Sequence, residues 1–420
     1  MSQLPTSGGG SWSVHQALME ASRCMYCHDA PCVKGCPVEM KIPEFIRKIV
    51  TENYAGAARV VYESNVFGAV CADVCPQSEL CAKECNAGQV GEPINIGRLQ
   101  KFAVLQSRPK QAEIFAQGKR VAVIGAGPAG LSGAYSLACQ GYEVTVIEAR
   151  REAGGTTLWG IPPYRLDNAV FAQDMVRIQE LVQDMRFGVA IGKEISPDAL
   201  LAEYDAILLS CGLGRGRELD IPGAELSGVI SAEEMLTEYN TTAKKGLSAP
   251  PITGKRVIVI GGGNTAMDVA AVARRAGALV TVLYRRTLSE MTAWQEEYQA
   301  ASNSGVEFRW QTAPVAILGD NQVQAVRAAY MQPTGPDGLT GHLEAVPGSE
   351  HDICCDLVVV AIGQTPNPLV KELANHSKVF LAGDALNGGA TVVQAVAEGQ
   401  QAAVAMGIFL RGDSVEAEVS

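Results

Sequence analysis

Val121-Ala122-Val123-Ile124-Gly125-Ala126-Gly127-Pro128-Ala129-Gly130 decides the fold of this chain. Four apolar residues closed by glycine read as a buried strand, a helical run follows from Leu131 to Gln140, and Glu143-Val144-Thr145-Val146-Ile147-Glu148 reads as a second strand. Strand, turn, helix and strand in that order make a βαβ unit. In its turn Gly125 permits the tight bend, Gly127 lets a pyrophosphate approach the backbone, and Gly130, beside Ala129, lets helix pack on strand. The helix N-terminus faces the phosphate charge, and Glu148, about 20 residues on, stands where a carboxylate binds ribose hydroxyls.

The same grammar returns downstream. Val257-Ile258-Val259-Ile260 leads into Gly261-Gly262-Gly263-Asn264-Thr265-Ala266, a helix to Arg275, and a strand Val280-Thr281-Val282-Leu283-Tyr284. Gly261, Gly263, Asn264 and Thr265 are the candidate phosphate contacts of this second unit. Its second strand ends in Arg285 and Arg286 rather than in an acid. A carboxylate would repel a 2′-phosphate, whereas a guanidinium pairs with its oxygens in a planar fork, so the pair favours NADPH while leaving NADH open. Leu357 to Gly363 reads as a last strand of the chain's sheets, followed by Val379 to Asp384 and a closing helix, Val392 to Leu410.

Outside the repeat the chain changes texture. The 420 residues suffice for roughly three domains, and 47% hydrophobic with 19% charged residues describes a globular protein. A net charge of −11 argues against nucleic acid as a partner. Met1 to Val14 is polar without a secretory signal, and no apolar run approaches the ~20 residues that span a bilayer, so the expectation is a cytoplasmic protein with no membrane partner. Residues 1 to about 112 show helical spacing, at Pro43 to Ile49 and Ala57 to Tyr62, and no strand signature; they read as a small all-α domain. A polar linker, Ser107 to Lys119, follows, and residues 413 to 420 form an acidic tail.

Eight of the twelve cysteines lie in that helical domain, as Cys24-x2-Cys27-x4-Cys32-x3-Cys36-Pro37 and Cys71-x3-Cys75-Pro76-x4-Cys81-x3-Cys85. In a reducing compartment such runs are metal ligands rather than disulfides. The first has the spacing of the bacterial iron–sulfur run, in which three cysteines hold one cluster and the fourth, before proline, reaches another. Zinc is the competing metal. The C-x-x-C-H pattern ending at His28 matches haem attachment but leaves Cys32 and Cys36 unexplained, so His28 reads as a loop residue. Cys139, Cys211, Cys354 and Cys355 read as core, and no C-x-x-C pair of the thioredoxin-reductase kind stands in the nucleotide domains.

Two dinucleotide folds, the first ending in an acid and the second in arginines, resemble the FAD- and NAD(P)-dependent reductases with paired nucleotide domains. Ala361-Ile362-Gly363-Gln364-Thr365-Pro366-Asn367 and Ala382-Gly383-Asp384 resemble that family's later FAD-contacting motifs. The resemblance implies an FAD domain over 113–225 and 355–420, with an NAD(P) domain, 226–354, inserted in it. It also implies that Asp384, beside Gly383, meets the flavin ribityl or phosphate side, and that the helix capped at Thr391 aims its dipole at the ring. Hydride transfer between these cofactors needs alignment rather than an acid or base, so no catalytic side chain is expected for it. The segment from Gly154-Gly155 to Leu166 resembles the family's crossing over the flavin, with Arg165 as a candidate contact.

The whole chain resembles the electron-input portion of the dihydropyrimidine dehydrogenase family, including its separate bacterial NAD-dependent subunits of the PreT type, and also the glutamate synthase small subunits. Pro93-Ile94-Asn95-Ile96-Gly97-Arg98-Leu99-Gln100 favours the former, where a glutamine in this place is a cluster ligand. The resemblance implies one [4Fe–4S] cluster on Cys24, Cys27, Cys32 and Cys85, and a second on Cys36, Cys75, Cys81 and Gln100. Cys71 is then left over, although its i, i+4 spacing from Cys75 leaves it open as the ligand in place of Gln100. It further implies an FMN-binding TIM-barrel subunit (PreA type) as partner in a heterotetramer that reduces uracil or thymine. The alternatives are a glutamate synthase assembly and a non-enzymatic zinc- and nucleotide-binding redox sensor. Replacing Arg285 and Arg286 by alanine is expected to raise the Michaelis constant for NADPH about 10- to 100-fold, the loss of a charged hydrogen bond. Steady-state kinetics with NADH, which should change far less, provide the control.

Overall fold

The computed structural model describes residues 12–109, 114–245, 252–334 and 343–412. The polar N-terminus up to residue 11, positions 110–113 of the linker and the acidic tail 413–420 lie outside the described residues. The described residues divide into two compact units, one holding Gly214–Thr365 with Trp159–Pro163, the other holding the remaining described residues.

The second unit begins with helices only: α1 (Val14–Ala21), α2 (Pro31–Lys34), α3 (Ile42–Val50), α4 (Tyr54–Ser64), α5 (Gly68–Val74) and α6 (Ile96–Gln106). Each has a local cause. Ser13 and Gln16 form a capping box at the start of α1, and Asn53 and Asn95 accept from Gly56 and Arg98 to open α4 and α6. Ile42, Phe45, Ile46 and Ile49 recur at helical spacing on α3 and are all buried, meeting Leu99 and Phe102 of α6 in one core. Between helices the cysteine loops bend sharply: Tyr26, Ala30 and Glu39 take positive φ of 49°, 40° and 46° without being glycine.

The same unit continues as β1 (Arg120–Ile124), α7 (Pro128–Cys139), β2 (Glu143–Glu148), α8 (Gly155–Trp159), α9 (Asn168–Gln179), β3 (Asp184–Phe187), α10 (Pro197–Glu203) and β4 (Ala206–Leu209). The other unit follows with β5 (Leu213–Gly216), β6 (Val229–Ser231), α11 (Ala232–Lys244), β7 (Arg256–Ile260), α12 (Asn264–Arg275), β8 (Leu279–Tyr284), α13 (Gln295–Asn303) and β9 (Glu307–Trp310). It also holds β10 (Thr312–Leu318), β11 (Ala325–Pro333), β12 (Leu343–Ala345), β13 (His351–Cys354) and β14 (Leu357–Val360). After β15 (Gln364–Pro366) the chain returns as α14 (Pro368–Leu373), β16 (Val379–Leu381), α15 (Asp384–Asn387) and α16 (Val392–Arg411).

Two parallel five-stranded sheets result, ordered β16-β4-β1-β2-β3 and β6-β14-β7-β8-β9. In each, the strand before the glycine loop lies between neighbours reached in opposite directions, β1 between β2 and β4, and β7 between β8 and β14. That is the switch point at which open α/β sheets bind ligands. One correction concerns Leu357 to Gly363: the strand stops at Val360, and it pairs with β6 and β7 in the second sheet.

Helix α16 runs from a Thr391–Gln394 capping box to Gly412 in the left-handed conformation, and packs along α7. Gly133 and Gly399 meet at the crossing, where a Cβ on Gly399 would collide with the Ala129 carbonyl oxygen. Nearby the Ser132 hydroxyl donates to the Val396 carbonyl at 2.9 Å. Gly399→Val is therefore expected to lower stability by about 1–3 kcal/mol through overpacking. Denaturant unfolding should show a lower midpoint at unchanged m.

Candidate functional site

The first four cysteines of the implied ligand sets lie together. Burial first, then neighbouring Cys85, Cys24 and Cys27, push the Cys32 thiol up to about 12. Cys24 is likewise raised, by burial first, with Cys85 and Cys27 adding and Arg47 opposing. The Asn86 amide donates to Cys27 Sγ at 3.3 Å, and the Arg47 guanidinium lies 4.8 Å from the centroid of the Tyr26 ring.

The second set surrounds a cavity lined by Cys36, Cys71, Cys75, Cys81, Gln100 and Val393, among others. The hydrogen bond with Cys71, then burial, holds Cys75 well above the ordinary thiol range. Burial pushes Cys81 up to about 12, with Cys36 and Cys32 adding. Gln100 is 7% exposed and its Nε2 donates to the Gly68 carbonyl at 2.7 Å, while no donor reaches its Oε1 among the described residues. Cys71 and Gln100 thus both face this cavity. Thiols crowded in this way raise one another's pKa, and they ionise together only where cationic metal offsets the repulsion, which fits them to clusters. Among the described residues no three His, Cys, Asp or Glu side chains converge on a single metal ion.

The remaining cysteines correct the sequence expectation of four core thiols. Only Cys355 is fully buried; Cys211 is half-buried, and Cys139 and Cys354 are exposed. Strand alternation explains the last case, since Cys354 ends β13 on its open face. His28 is exposed in a turn between the cysteines.

At the first glycine loop Gly125 has φ +103°, and a Cβ there would strike the Ser210 carbonyl. Gly127 leaves open space, the nearest atom to a Cβ being Gly155 Cα at 4.0 Å, and this is the room a pyrophosphate needs. Gly130 closes the turn so tightly that a Cβ would meet the Gly125 carbonyl oxygen. Glu148 is 9% exposed; its Oε2 accepts from Ala126 N at 2.7 Å and its Oε1 from Arg150 N at 2.8 Å, so the carboxylate braces the loop at the end of β2. Gly154 N donates to the Ala126 carbonyl at 2.7 Å, which brings the following segment, with half-buried Arg165, out of this loop.

Gly383, at φ +70°, donates its N–H to Glu398 Oε2 at 2.7 Å, and Asn387 donates to Glu398 Oε1 at 2.6 Å. Glu398 on α16 thereby ties the Gly383–Asp384 turn to the helix that Thr391 caps; burial raises the Asp384 carboxyl. Val393, in the first turn of α16, reaches the wall of the Cys36 cavity.

At the second loop Gly261 has φ +142° and abuts the Ala361 carbonyl, Gly262 abuts the Tyr284 ring, and Gly263 is open, with Thr292 Oγ1 at 3.6 Å from a built Cβ. Asn264 starts α12 and accepts from Trp294 N at 2.9 Å, while Thr265 is exposed in the first turn. Arg285 is exposed and Arg286 half-buried beyond β8. The next carboxylate, Glu290, is occupied by Thr287 N and Oγ1 at 3.0 and 2.7 Å.

Two open glycine loops at two switch points, joined to a domain of gathered thiols, define a pyridine-nucleotide and flavin oxidoreductase carrying an iron–sulfur domain. Residues 9–112 match the family described as dihydropyrimidine dehydrogenase domain II, 4Fe-4S cluster, and residues 119–399 match pyridine nucleotide-disulphide oxidoreductase. The NAD-dependent dihydropyrimidine dehydrogenase subunit PreT of Escherichia coli O157:H7 is 35% identical over 415 residues, 94% of this chain and 95% of that one. The glutamate synthase [NADPH] small chain of Halomonas elongata is 32% identical over 421 residues, covering 92% and 89%. FprA from Mycobacterium tuberculosis in complex with NADPH shares the fold at TM-score 0.58 and 18% identity, over 70% of this chain and 85% of that one. The chain belongs to the family of NAD(P)H-dependent FAD oxidoreductases that contains the PreT-type subunits. No helix among the described residues is long and apolar enough to cross a membrane.

Proposed function

We propose that this protein is an electron-input subunit: it oxidises NAD(P)H through FAD and hands electrons, by way of two [4Fe–4S] clusters, to an FMN-containing partner that reduces uracil or thymine. When bound, FAD would supply the exchange between a two-electron hydride donor and one-electron acceptors. The observation that carries the reading is Val393. It stands in the first turn of the helix behind the Gly383–Asp384 turn and also forms wall of the Cys36 cavity, so one helix joins the flavin motif to the thiols. In this reading Gly125, Gly127 and Gly130 hold the FAD pyrophosphate, with Glu148 toward its ribose. Gly261, Gly263, Asn264 and Thr265 hold the second nucleotide, whose 2′-phosphate Arg285 and Arg286 would meet.

Cys24, Cys27, Cys32 and Cys85 hold one cluster in this assignment, and Cys36, Cys75, Cys81 and Gln100 the other, which lies nearer the flavin motif. Gln100→Ala is expected to change the spectrum of one cluster or to lose its iron, whereas Cys71→Ala leaves iron content and both spectra intact. Iron analysis with electron paramagnetic resonance of the reduced protein decides; the reverse pattern would move the ligation to Cys71.

Gln100 is also the feature that supports the pyrimidine partner over a glutamate synthase large subunit. The test is anaerobic: NADPH or NADH should bleach the iron–sulfur and flavin absorbance of the purified protein, and with its co-purifying flavin subunit it should consume uracil. Glutamate formation from glutamine and 2-oxoglutarate with no loss of uracil would assign the glutamate synthase role instead. A yellow zinc protein without the iron–sulfur absorbance would leave only the sensor.

A further inference from the structure

Helix α5 and the residue that ends it supply two thiols, Cys71 and Cys75, to the Cys36 cavity, yet Phe67, which precedes the helix, offers no side-chain acceptor to cap it. The acceptor comes from far along the chain. Asp174 of α9 is fully buried; its Oδ2 accepts from Ala69 N at 3.0 Å and Val70 N at 2.9 Å, and its Oδ1 from the Tyr62 hydroxyl at 3.2 Å. Gln173 donates to the Tyr62 hydroxyl at 3.2 Å and to the Val104 carbonyl at 3.1 Å, which ties α4 and α6 into the same knot. The Arg177 guanidinium lies 4.9 Å from the Tyr62 ring centroid and donates to the Pro109 carbonyl at 2.9 Å. Phe67 stacks on Phe171 of α9, at 6.2 Å and 24°.

A carboxylate at a helix N-terminus satisfies orphan N–H groups and complements the dipole. A solvent-exposed cap does so cheaply, whereas a buried one is retained against a desolvation cost. Burial pushes this carboxyl up to about 7, against the pull of Val70, Tyr62, Ala69 and Arg177. Its three donors all address an acceptor, so the geometry is that of a carboxylate. On the opposite side of the same turn the Gly68 carbonyl receives Gln100 Nε2. The first turn of α5 is therefore clamped from both sides, its N–H groups by Asp174 and its carbonyl by Gln100, with Cys71 one residue beyond Val70 and Cys75 one turn further.

We infer that Asp174 is a positioning residue: by gripping the first turn of α5 it fixes where Cys71 and Cys75 stand, and so sets the reduction potential of the cluster held in the Cys36 cavity. The potential depends on charge and hydrogen bonding around the sulfurs; Asp174 places a buried carboxyl one turn from Cys71 and, by holding Ala69 N and Val70 N, fixes the turn from which the sulfurs are presented. The inference rests on the proposed cluster in that cavity.

The test compares the full-length holoprotein with its Asp174→Asn and Tyr62→Phe variants in two measurements. Redox titration followed by electron paramagnetic resonance should show a shifted midpoint for one cluster, identified as the one lost in Cys36→Ala, with the other cluster and the flavin unmoved. Amide hydrogen exchange should speed up about tenfold across 68–74 for Asp174→Asn, the loss of about one buried hydrogen bond, and less for Tyr62→Phe. Exchange across 14–21 should stay unchanged. Unmoved potentials with unmoved exchange would overturn the inference, as would equal shifts of both clusters with faster exchange throughout, which mark general destabilisation. A wild-type protein without iron in the Cys36 cavity would refute the cluster reading, and exchange across 68–74 would then still decide whether Asp174 grips the helix.

Discussion

Burial of ionisable thiols beside one another is the constraint on which the N-terminal domain depends. Eight cysteines are concentrated between Cys24 and Cys85, and Cys32 and Cys81 are each pushed up to about 12 by burial and by their neighbours. Such groups resist ionising singly, yet metal ligation needs them ionised. The fold resolves the conflict by gathering them where cationic metal can neutralise several at once. The apolar core of Phe45, Ile46, Leu99 and Phe102 then has the mechanical task of holding the loops together until that happens.

That core does not end at the linker. Tyr62, Asp174, Gln173 and Val104 join the helical domain to α9 through buried hydrogen bonds, and Gln400 of α16 donates to the Ser64 carbonyl at 2.9 Å. The thiol domain and the first dinucleotide fold share one compact unit for this reason. A buried polar junction is costly to leave half made, so the two parts are expected to order together rather than as beads on a string.

Much of this was legible in the chain. Glycine at Gly125 and Gly261 announces both switch points, because no other residue tolerates the approach of Ser210 or Ala361 there, and hydrophobic runs place β1, β2, β7 and β8 within a residue of their observed limits. The cysteine spacing announces metal. What stayed hidden depends on long-range contact. The antiparallel β10 and β11 alternate too weakly to read as strands, carrying small or half-buried residues on both faces, and β13 is only four residues long. Asp174 and Glu398 look like ordinary helix-surface acids, and only the folded chain turns one inward onto α5 and the other onto Gly383. Asn86 is likewise anonymous until it meets Cys27, 59 residues away. The spacing of cysteines could not rank Cys71 against Gln100, since both reach one cavity.

The crossing of α7 and α16 at Gly133 and Gly399 acts as a ruler. With no side chains between them, the two backbones touch directly, and this sets the spacing of the helix that carries Glu398 and Val393. A methyl group added at Gly399 would meet the Ala129 carbonyl oxygen and push the two helices apart, displacing the end of α16 that borders the Cys36 cavity. Two hydrogen atoms in place of two side chains thus set how closely that helix sits against the first glycine loop.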